Sequence, residues 1–211
     1  MKILYDHQIF TLQKFGGISR YFIEIINHLN KEIEIDLAVR FTNNEYYNNL
    51  KPNTYKKSFD KLLLSKNFKG KSRLVSLYNR NLSIEMLKKQ DFDIFHPTYF
   101  DDYFLEYLGR KPFVLTIHDM IPELFPEMQI DSYIIDKKAK LASKAAHIIA
   151  VSENTKKDII NILGIEEKKI SVIYHGSSVE KQKSDIANIL PEKYILYVGS
   201  RENYKNFYFF L

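Results

Sequence analysis

The chain contains no cysteine among its 211 residues, which excludes both a disulfide framework and thiol catalysis and fits a reducing, cytoplasmic setting. No stretch approaches the ~18 consecutive apolar residues of a membrane span. The opening Lys2-Ile3-Leu4-Tyr5 meets Asp6 at once, so a soluble protein is expected. The dinucleotide fingerprint is also missing. No third glycine follows Gly16-Gly17 at the required spacing, and Arg40 stands where strand two should end in an acid, which argues against an NAD-dependent oxidoreductase. Gly70-Lys71-Ser72 imitates the tail of a P-loop, but Ser65 occupies the first-glycine position and a Lys-rich stretch precedes it. No histidines fall at the i, i+4 spacing of a helical zinc site, and no nucleophile elbow surrounds Ser152. There is no internal repeat.

The chain does have a globular balance, 45 % hydrophobic and 27 % charged, with a net charge of +5. Lys56-Lys57, Lys66 to Arg73 and Lys137-Lys138 form local basic patches that favour anionic partners. Nucleic acid is not expected, because the 15 tyrosines and 15 phenylalanines show neither RNP-like nor zinc-finger spacing. An acidic bilayer surface or a phosphorylated substrate accounts for the same charge.

Strand and helix patterns alternate along the chain. Lys2 to Asp6 reads as strand one and is followed by a polar loop. Gly16-Gly17 opens a helix with Ile18, Tyr21, Phe22, Ile25, Ile26 and Leu29 on one face. A strand follows at 34–40, then an irregular insertion with short helices at 41–71 and a helix over 72–89. Strands at 93–97 and 112–117 come next, and the second ends in a proline-stiffened loop. A helix over 131–145 and a strand over 147–151 precede Ser152, which has the character of an N-cap, and Gly164 ends the helix between them. Residues 169–174 form one more strand. This order predicts an α/β protein with a Rossmann-like doubly wound parallel sheet, whose ligands sit beyond the carboxyl ends of the strands.

Gly16-Gly17, His96, His118-Asp119, Ser152-Glu153 and His175-Gly176 all fall on that rim. Each also has a plain reading. The glycines suit a tight turn as well as a close approach to phosphate. His96 and His175 can simply bond a neighbouring carbonyl, and Ser152 reads better as a cap than as a catalyst. The pair His118-Asp119 closes an apolar central strand and points most directly to the crevice. Near the end, Tyr194 to Val198 reads as a strand leading to Gly199, with Arg201 and Lys205 beside the turn and Phe207, Phe210 and Leu211 on a helix face. Those two cations either hold a phosphate or are merely solvated.

In order, Gly16-Gly17-Ile18-Ser19-Arg20-Tyr21, Thr116-Ile117-His118-Asp119, Val151-Ser152-Glu153-Asn154-Thr155, Val172-Ile173-Tyr174-His175-Gly176 and Tyr197-Val198-Gly199 to Lys205-Asn206 resemble the family 4 glycosyltransferases of the GT-B fold. With Tyr5 to Phe10, the opening is most similar to bacterial members that build O-antigen and other surface polysaccharides, often as mannosyltransferases. The resemblance implies an N-terminal acceptor-binding domain at 1–176, a linker at 177–190 and the start of a nucleotide-sugar-binding domain at 191–211. It further implies that Gly16, Gly17, Arg201 and Lys205 bind the donor diphosphate. His118 with Asp119 would serve at the reacting centre, and His96, Ser152, Glu153 and His175 would line the cleft.

The implied reaction is retaining transfer from a nucleoside diphosphate sugar to a lipid-linked or saccharide acceptor, with neither metal nor cofactor, at the inner face of a membrane. Oriented N–H groups and fixed cations would stabilise the leaving diphosphate. A nucleotide-sugar epimerase of the same fold and a non-catalytic interaction module are the alternatives. An incomplete second domain would leave the tail apolar and unpaired, so residues 191–211 are expected either to dock on the first domain or to self-associate with another copy of the chain.

Overall fold

The computed structural model describes residues 1–50, 69–128, 132–176, 191, 193–198 and 207–210. Strand β1 is Lys2–Tyr5, and the short helix α1, Gln8–Leu12, follows it directly. Then come α2 (Gly17–His28), β2 (Glu34–Leu37), α3 (Lys71–Lys89), β3 (Ile94–His96) and β4 (Val114–Ile117). The one-turn helix α4 (Ile121–Leu124), α5 (Ser132–Lys144), β5 (His147–Ala150), α6 (Glu153–Leu163) and β6 (Ile170–Val172) complete the main body. A last helix, α7, is Phe207–Phe210.

All strand pairs are parallel, in the ladders β2-β1-β3 and β4-β5-β6. The ladders abut at a single parallel bridge, Phe95 to Phe113, where Phe95 N donates to Pro112 O at 3.1 Å. Across both ladders the order is therefore 2-1-3-4-5-6, and the direction of winding reverses between β1 and β3. The crevice of a doubly wound sheet opens at such a reversal, above the carboxyl ends of the strands.

Side chains of β1 alternate between two cores, as the two-residue period of a strand requires. Ile3 and Tyr5 join Phe22 and Ile26 of α2 on one face. Leu4 joins Leu87 of α3, Leu141 of α5 and Ile159 of α6 on the other, together with Phe95, Leu115 and Ile148. Helices thus cover both faces, and the expected α/β class with a parallel sheet is observed. Aromatic packing spans the joint between ladders: the Phe104 ring is centred 4.7 Å from Phe95 and 5.2 Å from Phe113.

Several local expectations are corrected. Residues 8–12 are helical rather than a polar loop, because Ile9 and Phe10 are buried and Ile9 N donates to Thr98 Oγ1 at 3.1 Å. The loop after β4 holds a helical turn, since Pro122 lies in its first turn, where a missing N–H costs nothing. Tyr194 to Val198 has the composition of a strand but forms no ladder among the described residues, and Ile195, Leu196 and Val198 are exposed. A strand exists only where its N–H and C=O groups meet a partner. Of the 41–71 insertion, the described part contains a single 3₁₀ turn, Tyr46–Asn49, and residues 51–68 lie outside the described residues.

Candidate active site

Strand β4 sends Leu115 and Ile117 into the core shared with α5 and α6, so Thr116 faces the opposite side, toward α2. Its hydroxyl is a meeting point: Tyr21 Oη lies 3.3 Å away and His96 Nε2 2.9 Å away. One β-branched residue thereby ties the end of β3 and the first turns of α2 to β4. The Tyr21 ring stands edge-on to both His118 (4.9 Å, 87°) and His175 (5.1 Å, 83°), and those two imidazoles stack at 5.8 Å and 9°.

Burial, reinforced by His175, holds the His118 imidazole down at about 4; Asp119 opposes this and Lys138 adds to it. Burial, then His118, holds His96 at about 3. Both rings are therefore neutral near pH 7, able to donate or accept a hydrogen bond without a fixed charge. His96 uses Nε2 on Thr116, whereas Nε2 of His118 is buried with no hydrogen-bond partner among the described residues. Buried polar atoms are normally satisfied, so this unpaired nitrogen calls for an explanation, a bound water or ion or a functional role.

The backbone of His118 is fixed from α6. Ser152 caps that helix, accepting from Thr155 N at 3.1 Å, and Thr155 Oγ1 donates to the His118 carbonyl at 3.3 Å. Ser152 thus acts on the site through Thr155, while Glu153 is an exposed first-turn carboxylate. Asp119 faces along the loop, its Oδ1 accepting from Ile121 N at 3.2 Å. Gly16 and Gly17 open α2, one turn before Tyr21. A Cβ on Gly16 would displace the flexible Gln13 side-chain amide, whose Oε1 accepts from Ser19 N at 3.3 Å, so a side chain there would cost that hydrogen bond. At Gly17 a Cβ would meet nothing within 4 Å, which leaves the helix start open. Arg201 and Lys205 lie outside the described residues.

The structure therefore gathers His96, His118 and His175 around Tyr21 and Thr116, two residues that sequence reasoning did not single out for the site. It also reveals a buried carboxylate at the carboxyl end of β1. Asp6, fully buried, accepts from Thr98 N (2.8 Å), Thr98 Oγ1 (2.7 Å), Gln8 Nε2 (2.7 Å) and Tyr103 Oη (3.1 Å). The available signal was the run Asp6-His7-Gln8 after an apolar strand, three polar residues that are all buried. A separate groove of about 450 Å³, lined in part by Leu12, Lys14, Thr42, Asn43 and Lys71, lies between α1 and the start of α3 and does not include His118. Among the described residues no group of three or more His, Cys, Asp or Glu is arranged to hold a metal ion.

The O-antigen chain mannosyltransferase RfbU of Salmonella typhimurium is 31 % identical over 99 residues, which is 46 % of this chain and 27 % of RfbU. The apo form of the lipopolysaccharide outer core galactosyltransferase WaaB aligns with 85 % of this chain and 47 % of its own length, at 19 % identity and a TM-score of 0.48. The chain thus spans about half of WaaB, and its match to RfbU covers about a quarter of that protein. The family model for Glycosyltransferase Family 4 matches residues 15–181, a stretch that contains α2, the Thr116 junction, the stacked histidines and the Ser152 cap, and the chain belongs to that family.

Proposed function

We propose that these residues form the acceptor-side part of a retaining glycosyltransferase that moves a hexose from a nucleoside diphosphate sugar to a lipid-linked or saccharide acceptor in cell-surface polysaccharide synthesis. Mannose is the favoured sugar, on the strength of the match to RfbU. The observation that carries the reading is the buried, unpaired Nε2 of neutral His118 on the crevice rim. A neutral imidazole there can hydrogen-bond a sugar hydroxyl without repelling the carbocation-like character that develops at the anomeric carbon. The open start of α2 at Gly17 offers backbone N–H groups toward a diphosphate. Arg201 and Lys205 are assigned to the same diphosphate by family resemblance, within a GT-B second domain. Negative charge develops on the leaving diphosphate, and oriented N–H groups and fixed cations stabilise it. Action at the inner face of a membrane suits the +5 net charge, and no helix among the described residues is long and apolar enough to cross a bilayer.

Two assays test the proposal. The 211 residues alone should show no sugar transfer when incubated with a panel of nucleotide sugars and lipid-phosphate acceptors, because the second domain holds the donor. In an active protein containing this chain, His118→Ala should lower kcat by ~10²-fold while nucleotide affinity changes little. A wild-type kcat would return His118 to a structural role.

A further inference from the structure

The loop that carries His118 and Asp119 is held from an unexpected direction. Lys138, in the middle of α5, is 2 % exposed, and its ammonium lies within reach of three oxygens. It donates to the Asp119 carbonyl at 3.1 Å and to Glu123 Oε2 at 3.0 Å, with Oε1 at 2.9 Å, and it sits 5.3 Å from the centre of the Phe100 ring. Glu123 belongs to α4 and is buried to the same degree; the two side chains are each 3 % exposed. One cation therefore holds the backbone at Asp119 and the side chain of Glu123, tying the loop after β4 to α4.

A pair of this kind is a poor device for stability. Removing a lysine and a glutamate from water costs several kcal/mol per ion, and well-packed apolar residues of similar volume usually serve the fold as well or better. The other well-formed ion pairs near this edge, Lys137 with Asp101 and Lys140 with Asp102, each include a partner at least partly open to water. The Lys138 pair differs in being dry and in bonding the backbone next to His118.

We propose that Lys138, together with Glu123, is a positioning residue for the His118–Asp119 loop, setting the backbone from which the His118 imidazole projects into the crevice. The inference rests on the reading of His118 given under Proposed function. The Thr155 hydroxyl holds the carbonyl of His118 and Lys138 holds the carbonyl of Asp119, so α6 and α5 together fix two consecutive peptide units. The imidazole itself faces Tyr21 of α2, His175 after β6 and His96 at the end of β3, with Asp119 and Lys138 as the nearest charges.

Replacing Lys138→Met together with Glu123→Leu separates positioning from stability. The apolar pair should keep the urea midpoint of the 211-residue chain near that of the wild type. In imidazole NMR spectra of the same chain, His118 should lose its single sharp environment and titrate closer to a free imidazole, while His147, at the amino-terminal end of β5 and away from the rim, does not move. In an active protein containing this chain, the double variant should lower kcat at least tenfold and leave the donor KM within threefold. A double variant with wild-type kcat and an unchanged His118 spectrum overturns the proposal, since a purely structural pair would give that result. Should the double variant fail to fold, Lys138→Gln keeps a donor toward Asp119, and five- to tenfold lower kcat at constant KM is expected; wild-type kcat there also overturns it. His118→Ala, run in parallel, separates the two failures. If that variant is inactive while the Lys138 variants are not, only the positioning role falls. If His118→Ala is fully active, the reading of the site falls.

Discussion

Tyr21 makes two separable contributions, one through its ring and one through its hydroxyl. The ring stands edge-on to His118 and His175, and the hydroxyl joins Thr116 and, through it, His96. Tyr21→Phe keeps the ring and removes one hydrogen bond of 3.3 Å, so it should cost about 1 kcal/mol in urea unfolding and leave the imidazole resonances in place. Tyr21→Ala empties the space between the histidines and should cost about 3–5 kcal/mol, with both resonances shifting. If the two variants were equal in stability and spectrum, the ring would have no role in orienting the pair. Tyr21 was legible in the sequence only as one apolar-face residue of a helix, because periodicity reports which way a side chain points and not what its hydroxyl meets. The three histidines stood out more readily, since a polar residue closing an apolar strand has few places to go.

Helix α1 shows how an element with little intrinsic preference comes to exist. Five residues are too few to be stable alone, and nucleation is costly. What holds the turn is Asp6, which binds Gln8 on α1 and Thr98 and Tyr103 beyond β3 in one buried cluster. Asp6→Ala would leave several buried donors without an acceptor and should destabilise the protein by at least about 3 kcal/mol, and Asp6→Asn by about half as much, measured by urea unfolding. A smaller loss for Asp6→Ala than for Asp6→Asn would refute that accounting. Helices α2, α5 and α6, by contrast, are long and carry an apolar face, and the sequence placed their ends, and those of the weakly patterned α3, within two residues of those observed. The left-handed φ of +64° at Gly164 was likewise readable from composition, as the stop of α6. Short elements escaped because tertiary contacts alone support them, and Tyr194 to Val198 misled because β-favouring residues do not make a ladder without a neighbour.

The buried imidazoles have a collective effect on acid stability. Burial lowers the proton affinity of His7, His96 and His118 in the folded protein, the latter two to about 3 and about 4. An unfolded chain would protonate them near 6.5. Their contribution is therefore complete above pH ~6.5 and is lost as pH falls toward the folded values, because the unfolded state binds more protons in that window. Asp102, held at about 2 chiefly by its hydrogen bond to Lys137, acts in the same direction at lower pH. Each excess proton changes stability by about 1.4 kcal/mol per pH unit. Urea midpoints should thus fall steeply between pH 6.5 and 4.5, and His96→Gln should flatten the slope by about one proton. A midpoint that stayed level across that window would show that these rings are not neutral in the fold. Alternation of strands with helices made the parallel sheet legible, but strand order was not, since pairing depends on which edges meet in space.

The joint between the two ladders has a mechanical consequence. Elsewhere each strand is laced to its neighbour along its length, but β3 and β4 share one backbone bridge, and the Phe95, Phe104 and Phe113 rings form the weld on the face that packs against the second core. His96 rides on one side of this joint and Thr116 with His118 on the other. The His96–Thr116 hydrogen bond spans the same joint on the opposite face, so the three phenylalanine rings set the spacing at which the two halves of the histidine cluster meet. A cavity made among those rings, as in Phe104→Ala, should therefore shift the His96 imidazole resonance although no polar group is touched.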